Sequence, residues 1–202
     1  MVRDGIYYAA GLSAAGLALG YLASWWLALP LFALALFCLY FFRDPERPIP
    51  AGAVAVSPAD GRVVSVKADG PGRTRVSIFL NIFDVHVNRT PIAGRIAGVE
   101  YHEGKFLVAS KEGASTENEQ NIVTVEGDGT RVVFTQIAGL IARRIVCWKK
   151  PGDTVRAGER IGLIKFGSRV DVFFGPEWDI AVSVRDRVSA GSSVIARRKQ
   201  GD

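Results

Sequence analysis

The pattern of apolar and polar positions changes once along the chain. From Gly5 to Phe42 an almost wholly apolar run contains no Asp, Glu, Lys, Arg or His, whereas from Ala51 onward short alternating or β-branched stretches are separated by Gly, Pro and Asp. Between them lies Arg43-Asp44-Pro45-Glu46-Arg47-Pro48-Ile49-Pro50, whose prolines restrict the backbone and remove donors. The pattern predicts a membrane-associated helical hairpin over residues 1–42, a stiff linker over 43–50 and a β-rich domain over 51–202.

As one straight helix the apolar run would extend about 57 Å, far beyond the roughly 30 Å hydrocarbon thickness of a bilayer. It is therefore expected to fold back near Ser24-Trp25-Trp26, with Pro30 just beyond, giving two short helices whose tryptophans suit a headgroup interface. Both flanks then lie on one side, and Arg3, Arg43 and Arg47 predict that this side is cytoplasmic, with the chain at the cell membrane. Each half is near the lower length limit for spanning, so a crossing hairpin and one dipping into a single leaflet both fit. A cleaved signal peptide would need a shorter apolar region than one that continues to Phe42.

The clearest strand signals in the remainder are Val63–Val66, Arg75–Leu80, Ile122–Val125, Arg131–Phe134 and Ile161–Ile164, with a hairpin turn at Asp128-Gly129. A weak repeat relates residues 152–161 to 185–194: each has a turn, a Val and a second Gly-centred turn. Units of this kind occur in the barrel-sandwich folds of biotinyl and lipoyl carriers. The expected fold is accordingly mainly β, a barrel-sandwich-like domain preceded by the apolar hairpin.

Charge and cysteine content narrow the partners. The net charge is +5 and the pI about 9.4, but Lys and Arg are scattered and form no aromatic-basic stripe, which disfavours nucleic acid and points to an anionic membrane. Cys38 and Cys147 are far apart, without CxxC spacing or an adjacent His, which argues against structural zinc, any other metal centre or a disulfide framework.

Candidate chemistry rests on few residues. Of the two histidines, His86 precedes a polar loop after an alternating run, whereas His102 reads as a turn residue. Asp60 lies in Ser57-Pro58-Ala59-Asp60-Gly61-Arg62, either as a turn carboxylate or as an acid orienting an imidazole. Ser168, in Phe166-Gly167-Ser168-Arg169, sits between an apolar approach and an alternating exit, as if two strands met at a sharp turn. Gly167 permits backbone conformations closed to other residues. A serine there, activated by His86 with Asp60 behind it, could attack the Gly167 carbonyl and form an ester.

Taken in order, Phe41-Phe42-Arg43-Asp44-Pro45, Ser57-Pro58-Ala59-Asp60-Gly61, Asp84-Val85-His86-Val87-Asn88-Arg89, Gly104-Lys105-Phe106 with Asn118-Glu119, Ala142-Arg143-Arg144-Ile145 and Gly158-Glu159-Arg160-Ile161-Gly162 leading to Phe166-Gly167-Ser168-Arg169 resemble the phosphatidylserine decarboxylase family, in its short bacterial and archaeal branch. The resemblance implies a proenzyme cleaved between Gly167 and Ser168 into a β chain of residues 1–167 and an α chain of 168–202 that stay together. It implies further that Ser168 becomes a pyruvoyl group, a covalent cofactor needing no metal, which takes the substrate amine as a Schiff base and accepts electrons as carbon dioxide leaves. His86 is then the expected proton donor, and phosphatidylethanolamine the product. Longer members resemble one another in a second His where this chain has Arg89 and a Thr where it has Arg169; either arginine could bind the lipid phosphate or the serine carboxylate. A homo-oligomer is compatible with this reading. The rival readings are a membrane-anchored biotinyl- or lipoyl-like carrier modified at Lys165, and a non-enzymatic β adaptor module.

Overall fold

A computed structural model describes residues 1–105, 117–139, 144–165 and 168–199. The chain divides into two compact units, Met1–Glu46 and Arg47–Asp202, a division that falls within the proline-rich stretch.

The first unit is an apolar helical hairpin of α1 (Arg3–Leu22) and α2 (Trp25–Phe41). The reversal occupies Ala23 and Ser24, whose N–H groups both close on the Leu19 carbonyl, and Pro30 is accommodated inside α2. Close packing of the pair depends on a stripe of small residues. Gly5, Ala9, Gly16 and Gly20 form the buried side of α1; a Cβ on Gly16 would lie 3.1 Å from the Phe32 ring, and one on Gly20 would lie 2.5 Å from Trp25. Large apolar side chains point outward, including Leu17, Tyr21, Trp26, Leu29 and Leu36. This is the reverse of a water-soluble helix pair. By length and composition α1 is sufficient to cross a membrane, and α2 is somewhat shorter.

The second unit is built from β1 (Val54–Val56), β2 (Gly61–Ala68), β3 (Thr74–Leu80), β4 (Val87–Arg89), β5 (Gly94–His102), β6 (Gln120–Gly127), β7 (Thr130–Ile137), β8 (Ile145–Cys147), β9 (Thr154–Val155), β10 (Arg160–Ile164), β11 (Ser168–Phe174), β12 (Trp178–Ile180), β13 (Arg187–Val188) and β14 (Val194–Arg198). The chain is thus mainly β, as the alternation predicts. Eight strands form one curled sheet in the order β13-β2-β3-β11-β7-β6-β5-β9; β1-β14-β12 and β4-β10-β8 form two small sheets. The Asp128-Gly129 turn joins β6 to β7 as expected, with both residues at positive φ.

Period-two alternation sorts the large sheet into two faces. Val76, Ile78 and Leu80 of β3, Val170, Val172 and Phe174 of β11, and Val132 and Phe134 of β7 are all fully buried, and pack with Ile161, Ile164 and Ile195 from outside the large sheet. Intervening residues occupy the opposite face.

The weak repeat is real in three dimensions and larger than its sequence trace. Gly158 and Gly191 adopt φ of +71° and +78°, and their N–H groups bond to the carbonyls of Thr90 and Ser57, each at 2.8 Å. Ser57-Pro58 and Thr90-Pro91 are thereby partners at the same offset along the chain. Each leads to an Arg preceded by a positive-φ glycine, Gly61-Arg62 on β2 and Gly94-Arg95 on β5, and then to a β-bulge. The short strands β13 and β9 pair with these two positions. Two related arches therefore close the two edges of the large sheet.

The glycines opening these arches are fixed by close approach as well as by φ. A Cβ at Gly61 would lie 2.1 Å from the Phe79 carbonyl oxygen, and one at Gly94 would lie 2.2 Å from that of Glu126. Gly61→Ala and Gly94→Ala are each expected to destabilise the fold by more than about 1 kcal/mol, read as a lower urea midpoint at unchanged slope; an unchanged midpoint would show that the backbone yields without strain.

Candidate active site

Ser168 opens β11 on the core-facing side of the sheet. Its backbone neighbour is Leu80, the last residue of β3, and from Arg169 to Phe173 β11 is paired on both sides, beginning with Phe79 of β3 and Ile137 of β7. Ser168 is wholly buried, and its Oγ has no hydrogen-bond partner among the described residues. Buried serine hydroxyls at Ser65 and Ser192 share that state, but those residues are partly exposed. An unsatisfied hydroxyl in such a place costs about 1–3 kcal/mol, the kind of local defect expected where chemistry takes precedence over stability. Phe166 and Gly167 lie outside the described residues.

The two strands expected to meet before Ser168 are present, but they are not a hairpin. β10 belongs to the small sheet with β4 and β8, whereas β11 lies in the middle of the large one.

His86 is brought to this same end by two routes. The chain from Leu80, the partner of Ser168, reaches it within a short loop, and its carbonyl accepts a hydrogen bond from the N–H of Ile164 at 3.3 Å. It immediately precedes β4, rather than closing the preceding strand. The residue is 1% exposed, and its Nδ1 lies 2.9 Å from the Asp84 carbonyl oxygen. A carbonyl can only accept, so Nδ1 carries the hydrogen and Nε2 is the basic nitrogen of the neutral ring. His102, expected in a turn, instead ends β5 opposite Gln120 and stands half exposed.

The carboxylate of Asp60 is not directed at the imidazole. Its Oδ2 accepts from Arg47 at 2.8 Å, and its Oδ1 accepts from the Ala190 N–H at 2.8 Å. The orienting contact on His86 Nδ1 comes from backbone. Asp60 nevertheless belongs to the same assembly, because its loop is tied to β4: the Pro58 carbonyl accepts the Arg89 N–H at 2.9 Å.

Neither candidate arginine is turned toward solvent. Arg89 is 5% exposed and donates to the Gly158 carbonyl at 3.0 Å, within the turn of one arch. Arg169 lies on the sheet face opposite Ser168, where Nε donates to Asp171 Oδ1 at 2.6 Å and a terminal nitrogen donates to Ser77 Oγ at 2.7 Å. Lys165, required at an exposed hairpin tip by the carrier reading, is buried.

A polar chain beside the site had no counterpart in the sequence reading. Asn121 Nδ2 donates to Gln136 Oε1 at 2.9 Å, Gln136 Nε2 donates to Asn88 Oδ1 at 2.8 Å, and Asn88 Nδ2 reaches the Pro58 carbonyl at 3.4 Å. All three amides are buried. They link β6, β7, β4 and the Asp60 loop, and Gln136 sits opposite Val170 on the face that carries Ser168. Alternation places Asn121 and Gln136 on the inside; polar residues at apolar positions were the available signal. Burial raises the pKa of the nearby Cys147 thiol, keeping it neutral at ordinary pH. No cluster of His, Cys, Asp and Glu suited to a metal occurs among the described residues.

The phosphatidylserine decarboxylase family model matches residues 34–196. A phosphatidylserine decarboxylase proenzyme of Solibacter usitatus is 69% identical over 98% of this chain and 97% of its own length. Proenzymes of the same name from Oleidesulfovibrio alaskensis and Nitratidesulfovibrio vulgaris are 49% and 50% identical, over 80% and 79% of this chain and 78% and 76% of theirs. With matches that span the β unit and, in the first of these relatives, nearly the whole chain, the protein belongs to the phosphatidylserine decarboxylase family.

Proposed function

We propose that this decarboxylase matures by cutting its own chain between Gly167 and Ser168, and that Ser168 thereby becomes a pyruvoyl group. The observation that carries the reading is the fully buried Ser168 hydroxyl, without a partner among the described residues, at the first position of a strand locked into the sheet. His86 Nε2 takes the hydroxyl proton as Ser168 Oγ attacks the Gly167 carbonyl. The chain passes to an ester; β-elimination releases the Gly167 carboxylate as the new β-chain terminus and leaves a dehydroalanine, whose hydrolysis with loss of ammonia leaves the new group at the head of the α chain, residues 168–202. The β11 ladder keeps that α chain bound to the β chain, residues 1–167, after the peptide bond has gone. The relatives' shared name, proenzyme, supports such processing.

The pyruvoyl group supplies an electron sink for loss of the serine carboxylate. A buried, water-poor serine position fits it, and the chain's own residues supply the rest. His86, fixed by the Asp84 carbonyl, returns a proton to the former α carbon. Asp60 is a positioning residue: by joining Arg47 to the Ala190 turn it holds the loop whose Pro58 carbonyl anchors β4 next to His86. The buried amides continue that anchor to β7 and β6. Arg89 and Arg169 are committed to the fold by the contacts described above, which supports structural roles for both.

The apolar hairpin supports residence at a membrane, where a scarcely soluble two-chain lipid is met in the plane of the bilayer. Arg3, Arg43 and Arg47 favour the cytoplasmic side.

Ser168→Ala is expected to leave one full-length chain by intact-mass analysis, whereas the parent gives two fragments, the smaller reactive toward carbonyl reagents. A cleaved Ser168→Ala chain would sink the assignment. His86→Ala should slow self-cleavage roughly 10²- to 10⁴-fold, followed by gel densitometry over time; maturation and turnover at parental rates would remove His86 from both stages.

Gln136→Leu leaves Asn88 Oδ1 without its donor and should cost about 1–3 kcal/mol of stability. Measured by urea unfolding in the uncleaved Ser168→Ala background, no loss would show that the amide chain is dispensable to the fold.

A further inference from the structure

Partners on one face of an antiparallel pair stand close together, and like charges placed opposite each other repel. Arg62 on β2 and Arg187 on β13 are such partners. Both are exposed, on the face away from the core, since Val63 and Val188 beside them are buried on the other. The Arg62 side chain has no hydrogen bond or ion pair among the described residues. Among the described residues Arg187 has one ion-pair partner, Asp84, whose Oδ1 lies 3.6 Å from Nη1.

Asp84 connects this pair to an unusual loop. Residues 81–84 are braced from within: the Asn81 N–H donates to Asp84 Oδ2 at 2.8 Å, the Asp84 N–H donates to the Asn81 carbonyl at 2.8 Å, and the Phe83 N–H donates to Asn81 Oδ1 at 3.2 Å. The braced loop presents Phe83 with 62% of its surface exposed. It begins next to Leu80, the partner of Ser168, and ends two residues before His86. An aromatic side chain held out by a rigid turn, beside two arginines that lack a shared counter-ion, matches an interface with an apolar interior and an anionic surface. A soluble anion would satisfy the arginines and leave Phe83 unexplained.

We propose that this corner seats the catalytic unit on an anionic phospholipid surface. Phe83 enters the headgroup boundary, and Arg62 and Arg187 take headgroup phosphate or carboxylate oxygens. The edge of the active site is then held against the layer that contains the substrate. The choice of lipid rests on the decarboxylase reading; the seating itself does not.

The test uses the full-length protein with Phe83→Ser and with the double variant Arg62→Gln/Arg187→Gln. Each is assayed on mixed phosphatidylcholine–phosphatidylserine vesicles and on short-chain phosphatidylserine below its micellar concentration. On vesicles kcat/KM is expected to fall roughly tenfold for Phe83→Ser, the effect of losing one buried apolar side chain. It should fall about fivefold per arginine for the double variant, and that deficit should narrow as salt is raised. Turnover of the monomeric lipid and the unfolding midpoint are expected to stay at parental values. A Phe83→Trp chain should show additional fluorescence quenching by brominated acyl chains in anionic vesicles, relative to the parent.

Vesicle turnover within twofold of the parent in both variants would overturn the proposal, as would a Phe83→Trp chain quenched no more than the parent. Equal losses on vesicles and on monomeric lipid would place these residues in the architecture of the site. A variant that changes from dimer to monomer by light scattering would assign the corner to a second copy of the chain. Either result would also overturn it. If the parent decarboxylates neither lipid form, the functional reading fails, while the quenching experiment still decides the seating.

Discussion

The backbone ladder on both sides of β11 is the interaction on which the rest of the catalytic unit depends. This strand occupies an interior place in the large sheet, joined to β3 along its full length and to β7 over most of it. Its inward residues carry the core, and its first residue is the candidate reactive group. If the chain is cut before Ser168, nothing covalent holds that group in place from its own N-terminal side. Backbone hydrogen bonds and the burial of Val170, Val172 and Phe174 then do so, and each such side chain contributes about 1.5–3 kcal/mol. A reactive terminus in a loop or on an edge strand would fray.

Around that strand the fold uses one device twice. The two arches present a Ser-Pro or Thr-Pro turn, a close-packed glycine and a bulge, and each receives the N–H of a left-handed glycine from a later turn. They differ at one telling position. Asp60 in the first arch accepts the Ala190 N–H, and the corresponding residue of the second is Ala93. The related scaffold therefore carries a carboxylate only in the arch whose loop anchors the His86 strand.

How much of this was legible depends on the range of the interaction. Strands and the β6–β7 turn were readable, because alternation and Asp-Gly chemistry are local. The need for a helix reversal followed from length, and its place from Ser24-Trp25-Trp26 and Pro30, but the small-residue stripe that allows close packing was not singled out. Half of the repeat was visible, in residues 152–161 and 185–194; its other half, Ser57-Pro58-Ala59-Asp60-Gly61-Arg62 against Thr90-Pro91-Ile92-Ala93-Gly94-Arg95, shares Pro, Gly and Arg at one spacing and was legible but not singled out. The partners of Asp60 were inaccessible to sequence, since Ala190 is remote in the chain. The imidazole's orienting contact was missed for a different reason: a backbone carbonyl leaves no residue-type signature. Parity along β11, by contrast, could have shown that Arg169 lies on the face opposite Ser168.

That parity gives a physical reason for a buried ion pair beside the candidate serine. Arg169 and Asp171 are 2% and 1% exposed in their side chains, and a pair so buried is a doubtful source of net stability, because desolvation offsets most of its attraction. Its value lies in register. Side chains alternate with a period of two, so sliding β11 by one residue would turn Ser168 outward and drive both charges of this pair into the apolar core formed with β3 and β7. An isolated charge in such a place costs several kcal/mol, and the slipped alignment would also expose Val170 and Val172. The correct alignment instead satisfies Arg169 with Asp171 and Ser77 on the outer face. The ion pair thus acts mainly by excluding the alternative in which the Ser168 hydroxyl faces away from the core, and it does so from the opposite side of the sheet.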